Sequence, residues 1–190
     1  MKKLVVLVGL PGSGKTAFRR RHPEWAVVSK DAIWREVFHC TYAPEHEETV
    51  DRIFAATLVE VVDSGTEVVC VDDLNLTLAA RAELVELARI AGRRPIAYVM
   101  APAPLDVLQD RVERTTARIA AAEPDRRIAA LGRDRLDALA QSYESVDARE
   151  GFARVDEVTG FVDAEPSERK QKVPRRKRIE RRDPLPLFSP

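Results

Sequence analysis

Two cysteines, three histidines and 6% aromatic residues are little for a chain of 190 residues. Each scarcity closes a class of explanation. Cys40 and Cys70 are too few for the disulfide framework of a small secreted domain or for a zinc cluster. Cys70 also lies inside an apolar run, so both read as inert buried thiols. His22, His39 and His46 have no metal-ligand spacing and read as ordinary rings rather than ligands. Long apolar runs are missing as well. The run Leu4 to Val8 falls far short of the roughly 20 residues a membrane span needs, and a Gly/Pro-rich turn breaks it at once. Neither a span nor a signal-peptide core is expected, and the protein reads as soluble and cytoplasmic, with no membrane partner.

Net charge is absent too, with 31 basic against 31 acidic side chains, but the balance is uneven along the chain. Residues 166–190 carry nine Lys/Arg, three Asp/Glu and five of the twelve prolines, with almost no periodic apolar pattern. They read as a flexible, solvated basic tail rather than a packed element. Arg175-Arg176-Lys177-Arg178 suits electrostatic contact with nucleic-acid phosphates, or plain solvation, since no interleaved aromatics offer a stacking platform. The length suits one core, so the expected organisation is a domain over residues 1–163 followed by a tail over 164–190.

What the chain does have is alternation. Leu4 to Val8 is a continuous β-branched run followed by glycines, as in a strand buried on both faces of a parallel sheet. Trp25–Ser29, Glu67–Asp72 and Arg94–Met100 repeat the pattern. Helical periodicity fills the intervals Thr16–Arg21, Asp31–His39, Glu45–Val62 and Thr77–Ala91, with Thr77 as N-cap and Gly92 as stop. After Ala101-Pro102-Ala103-Pro104 a helix is expected over Leu105–Ile119 and one or two more over Glu123–Ser142, then a short strand over Phe152–Val155. Val158–Val162 fits no single template. Strands alternating with helices predict an α/β parallel sheet.

Gly9-Leu10-Pro11-Gly12-Ser13-Gly14-Lys15-Thr16 matches G-x-x-x-x-G-K-[ST] at every fixed position, between a buried strand and a helix. Gly9, Gly12, Ser13 and Gly14 let the backbone wrap a polyphosphate with its N–H groups inward, while the following helix aims its positive end at the same anion. Lys15 is expected at the β/γ-phosphates, and the Thr16 hydroxyl on Mg²⁺. The motif is shared by GTPases, motors and small kinases. No N-K-x-D guanine signature is present, which favours ATP, and the domain is small for a motor.

Other residues narrow the chemistry. Asp31 in Ser29-Lys30-Asp31 falls at the carboxyl edge of the sheet beside the phosphate loop. There it would accept the proton of an attacking hydroxyl or orient it, besides serving as a helix cap. Arg35 shares its helical face and is placed to hold a phosphate of the acceptor, or simply to pair with Asp31. Asp72-Asp73-Leu74-Asn75 ends an apolar strand as a Walker B segment does. Asp72 would orient Mg²⁺ through water and Asp73 with Asn75 would bond the acceptor, unless the group only caps the next helix. Arg81 reads as an ordinary helix residue. Arg111, Arg114 and Arg118 share one helix face, either as lid cations that offset the charge of a transferring phosphate or as a solvated stripe. Trp25 and Trp34 read as packing.

These segments together resemble the kinase domain of the phage-type polynucleotide 5′-hydroxyl kinases, within the small P-loop ATP-dependent kinases. The likeness covers roughly residues 1–145 and rests on Met1–Thr16, on Ser29–Asp31, on DDLNLTLAAR from Asp72 to Arg81, and on Leu108–Arg111. The resemblance implies Asp31 as general base, Asp73 and Asn75 in the acceptor site, Arg35 on a substrate phosphate, and a lid arginine among Arg111, Arg114 and Arg118. Two departures stand out. The family's arginine comes three residues after the base, where this chain has Trp34, and no D-x-D-G-[TS] phosphatase motif is present. Zeta-toxin-like and antibiotic-modifying kinases share the same P-loop and base. The expected reaction is transfer of the ATP γ-phosphate, with Mg²⁺, to a hydroxyl. The acceptor is first the 5′-hydroxyl of a nucleic acid, alternatively a small-molecule alcohol such as a nucleoside, sugar or antibiotic. A P-loop module that binds ATP to switch a partner interaction is the remaining alternative. The expected architecture is an α/β parallel-sheet P-loop NTPase, kinase-like, with an Arg-bearing helical lid.

Overall fold

A computed structural model describes residues 1–159. The expected domain boundary at 163, the basic tail 164–190 and all of Val158–Val162 beyond Thr159 lie outside the described residues. Five strands, β1 (Lys3–Val8), β2 (Ala26–Ser29), β3 (Val68–Asp72), β4 (Arg94–Met100) and β5 (Arg154–Val158), form one sheet in the order β2-β3-β1-β4-β5. Every neighbouring pair is parallel. The helices are α1 (Lys15–Arg19), α2 (Lys30–Phe38), α3 (Glu47–Asp63), α4 (Leu78–Ile90), α5 (Leu105–Ala122) and α6 (Arg133–Gln141). This is the expected α/β class, a parallel sheet with helices between its strands. No helix among the described residues is long and apolar enough to cross a membrane.

β1 is buried on both faces, and its residues divide between two cores as a period of two requires. Leu4, Val6 and Val8 pack with Val69, Val71, Leu58 and Val62 of α3, and Leu84 and Ala88 of α4. Val5 and Leu7 pack on the other face with Phe18 of α1, Cys70 and Met100, beside Trp25 and Tyr98. A third cluster, Trp34, Cys40, Ala43 and Val50, joins α2 to α3. Both tryptophans therefore pack, as expected, and both cysteines are free and buried. Burial drives the Cys70 thiol far above its ordinary pKa, which keeps it protonated and inert.

Local signals read well where they were strong. The Thr77 hydroxyl accepts from Ala80 N at 3.2 Å, as an N-cap does, and Gly92 ends α4 at φ 61°. Two expectations are corrected. Helix α2 begins at Lys30, with Ser29 at the cap position and Asp31 inside the first turn, so Asp31 is not the cap and its carboxylate is left for other work. Within Glu123–Ser142 only Arg133–Gln141 is helical. Pro124 and Gly132 bracket the rest, and its backbone pairs with residues 39–41 instead.

The sheet order places β1 between strands reached in opposite directions, a switch point with its crevice at the carboxyl ends. Ser29 lies in register with Asp72, so β2 and β3 end level. The loop after β1, the first turn of α2 and the turn after β3 converge there.

Candidate active site

The loop between β1 and α1 is held in shape by contacts that only glycine permits. Gly12 has φ 76°, and a Cβ there would lie 2.6 Å from Leu108 O of α5. The loop tip is thus pressed against α5 backbone, and any side chain at Gly12 would force the two apart. Lys15, at the start of α1, is buried and donates from Nζ to Gly9 O (2.6 Å) and Leu10 O (2.9 Å). Burial lowers its pKa to about 8, against the opposing pull of Asp72, Asp31 and Asp73. The Ser13 hydroxyl is buried with no hydrogen-bond partner among the described residues.

Three carboxylates face this lysine. Asp72, buried at the end of β3, lies 2.8 Å from Arg19 Nε, yet burial still lifts its pKa above the usual carboxylate range. Asp73 pairs with Lys30 at 3.2 Å, and Lys30 reaches Asp51 of α3 at 2.8 Å. Burial opposes the charge on Lys30, but Asp73 and Asp51 more than offset it and raise its pKa. Asp31 is open to solvent at the mouth of the cleft. The surrounding protein nevertheless desolvates its carboxyl and raises its pKa; Asp73 adds to that effect, and Lys15, Arg126 and Arg19 oppose it. A carboxylate of raised proton affinity beside a buried lysine can accept a proton from a neighbouring hydroxyl.

The remaining sequence candidates are sorted by the fold. Arg111 donates to Gly12 O at 3.3 Å, so α5 brings it to the phosphate loop. Arg114 pairs with Asp110 on the exposed side of the helix, and Arg118 lies about two turns further along α5 than Arg111. Asn75, in a left-handed conformation, spends its amide on Leu7 O (2.7 Å) and Asp73 O (3.4 Å), bracing the turn after β3 instead of offering that donor to an acceptor. Arg35 is exposed and bound to Glu36 at 2.8 Å, not to Asp31. Thr16 sits in the first turn of α1.

Sequence reading missed Arg19, Lys30 and Arg126. Arg19 was legible in principle, four residues after Lys15 on α1, where helical spacing stacks the two. Arg126 carried no signal: it lies in the stretch read as helix, 95 positions from Asp31 in the chain. No group of three or more His, Cys, Asp or Glu suited to a metal occurs among the described residues.

A family profile described as an AAA domain matches residues 4–145. Solved structures of similar fold include a chain of the Pnkp1/Rnl/Hen1 RNA repair complex, at TM-score 0.59 and 20% identity over 74% of this chain and 43% of that one. Another is a fungal RNA kinase, at TM-score 0.54 and 16% identity over 87% and 77%. A third is a gluconokinase from Sinorhizobium meliloti 1021, at TM-score 0.51 and 19% identity over 83% of each. The chain spans less than half of the RNA repair chain that it matches. No curated protein sequence matches it.

Proposed function

The chain belongs to the AAA domain family and has the P-loop kinase fold, and from that premise we propose that it transfers the γ-phosphate of ATP to an alcohol, with the 5′-hydroxyl of a polynucleotide as the favoured acceptor. The observation that carries the reading is Asp31 beside Lys15 at the level ends of β2 and β3. The acceptor oxygen forms a bond to the γ-phosphorus while the bond to the β–γ bridging oxygen breaks. The acceptor proton goes to Asp31, and the electron pair of the broken bond stays on ADP. The loop N–H groups and Lys15 hold the phosphates, and Arg111, already on the loop, offsets their charge.

Thr16 and Asp72 have the donor chemistry of a hydrated magnesium site, a hydroxyl and a carboxylate, and the buried Ser13 hydroxyl in the same loop makes no hydrogen bond among the described residues. When bound, the ion offsets phosphate charge. The polynucleotide reading draws on the resemblance of the motifs and on fold neighbours named for RNA repair and RNA kinase.

A small-molecule acceptor is the second reading, and one observation favours it. Trp34 is buried in the α2–α3 cluster and Arg35 turns away to Glu36, so neither position offers a cation to a phosphate on the acceptor. The fold neighbour named as a gluconokinase is of this kind.

Transfer of label from γ-labelled ATP with Mg²⁺ separates the readings. The parallel acceptors are a 5′-hydroxyl oligonucleotide, its 5′-phosphorylated control, and a pool of nucleosides, sugars and aminoglycosides. Label on the 5′-hydroxyl oligonucleotide alone is the expected result. Label only in the pool replaces the acceptor, and free phosphate with no labelled acceptor points to an ATP-driven switch.

A further inference from the structure

The connection from α5 to α6 is sewn to the chain that leaves the helix carrying Asp31. Cys40 and Arg127 form a parallel bridge; Arg127 N donates to His39 O at 3.0 Å and Thr41 N to Arg127 O at 3.1 Å. The Thr41 hydroxyl then closes the stitch. It accepts from Ala129 N at 2.8 Å and donates to Ala129 O at 3.3 Å, satisfying both backbone groups of one residue. Two outer contacts flank it: Arg127 pairs with Glu45 at 3.0 Å, and the Arg135 guanidinium of α6 sits 4.0 Å from the Tyr42 ring centre.

Inside the stitch lies Arg126. Its side chain is 9% exposed and pairs through Nη1 with Glu123 at 3.5 Å, and Nη2 donates to Cys40 O at 3.1 Å, while Nε is buried with no hydrogen-bond partner among the described residues. The same guanidinium is close enough to Asp31 for its charge to favour the ionised carboxyl. A connection without regular structure loses much conformational freedom when it is ordered, so something must hold residues 123–132 in one arrangement. The bonds just described tie that connection to the C-terminal end of α2, a nine-residue helix whose first turn bears Asp31. The base and the buried cation therefore lie on two segments bonded to each other.

We propose that Thr41 is a positioning residue: by gripping both backbone groups of Ala129 it keeps the Arg126 guanidinium on Asp31's side of the cleft, so that base and cation approach the phosphates as one unit. The proposal rests on the kinase reading of the cleft, and it concerns residues that touch neither substrate in sequence-based expectation nor in the phosphate loop itself. Thr41 acts only through Arg126.

The test is a double-mutant cycle on the full chain with two readouts, MgATP affinity by calorimetry and label transfer from γ-labelled ATP. Thr41→Val should weaken MgATP binding and lower kcat, each by about fivefold, the scale of one lost hydrogen bond. Thr41→Ser, which keeps the hydroxyl, should restore both to within about twofold. Arg126→Ala should lower both readouts further, and Thr41→Val added to Arg126→Ala should cost nothing more, as coupled residues behave. Parental kcat and MgATP affinity in Thr41→Val, or full additivity with Arg126→Ala, would overturn the proposal whatever happens to thermal stability. Should Thr41→Val not fold, Arg135→Ala, on the exposed face of α6, loosens the same stitch; it should shift both readouts in the same direction and likewise be absorbed by Arg126→Ala. If the parent labels no alcohol at all, the kinase reading fails, while the affinity cycle still decides the role of Thr41.

Discussion

Arg81 and Glu150, 69 positions apart, form a buried two-pronged ion pair at 2.7 and 2.8 Å. Nη2 also donates to Ser145 O at 3.4 Å, and Nη1 holds the turn after β3, donating to Leu76 O at 2.8 Å and Asn75 O at 3.2 Å. Arg81 is fully buried, and Glu150 has its pKa lowered because Arg81 outweighs the effect of burial. A residue that reads as an ordinary helix position thus clamps the turn bearing Asp72 and Asp73 to the chain before β5.

Replacing only one partner strands a buried charge. Arg81→Met should destabilise the fold by about 3–5 kcal/mol, a fall of roughly 10 °C in Tm for a chain of this size, measured by thermal unfolding. The double replacement Arg81→Met with Glu150→Leu should recover much of the loss, because no charge is left unpaired. A loss as large in the double as in the single variant would mean that the clamp acts through its bonds to the turn after β3 instead.

Asp31→Asn removes the proton acceptor and keeps the size of the side chain. Phosphoryl transfer should fall by about 10²–10⁴-fold, while MgATP affinity stays within a few-fold of the parent. Calorimetry and label transfer read the two separately, and retention of transfer in this variant would dismiss Asp31 as the base.

The pH profile of kcat/KM should be a bell. Activity needs Asp31 unprotonated, and its raised pKa moves the acid limb above the ordinary 3.8 of an aspartate; activity falls as pH drops through that limb. Activity also needs Lys15 charged, and its lowered pKa sets the alkaline limb of the free protein near 8; activity falls as pH rises through it. Bound phosphates favour the charged lysine, so the alkaline limb of kcat should lie higher than that of kcat/KM. Asp31→Asn should take Asp31 out of the acid limb and, by removing one of the charges that hold the Lys15 pKa up, move the alkaline limb lower.

Arg111→Ala and Arg114→Ala should differ. Arg111 already contacts the phosphate loop, and its loss should lower kcat by about 10-fold or more. Arg114 is engaged by Asp110 on the exposed helix face, and its loss should leave kcat within about twofold, as exposed pairs contribute little. Equal effects in steady-state transfer would return the two to one row.

Much of the cleft was legible because its parts are local. The cradle is one unbroken run from Gly9 to Thr16, and a strand followed by glycines and a helix requires no distant partner to declare itself. Asp72 ends β3, Asp73 follows it and Asp31 comes two residues after the end of β2, and parallel topology sends all such strand ends to one edge. The misreadings have a common source. Residues 123–132 fall in the stretch read as one or two helices, but their backbone pairs with residues 39–41 instead. Helical spacing puts Arg111, Arg114 and Arg118 on one face and does not say how far along that face the phosphate loop lies.

The sequence by itself determined the α/β class, the strand ends and the phosphate loop, since hydrophobic period, glycine placement and helix capping are settled by neighbours in the chain. Tertiary structure alone decided that Arg81 is a clamp, that Asn75 braces Leu7 O, that Arg35 faces outward and that Thr41 holds the segment bearing Arg126. Long polar side chains reach several ångströms in directions that spacing does not encode, and which charge they meet depends on segments brought together only when the sheet has formed.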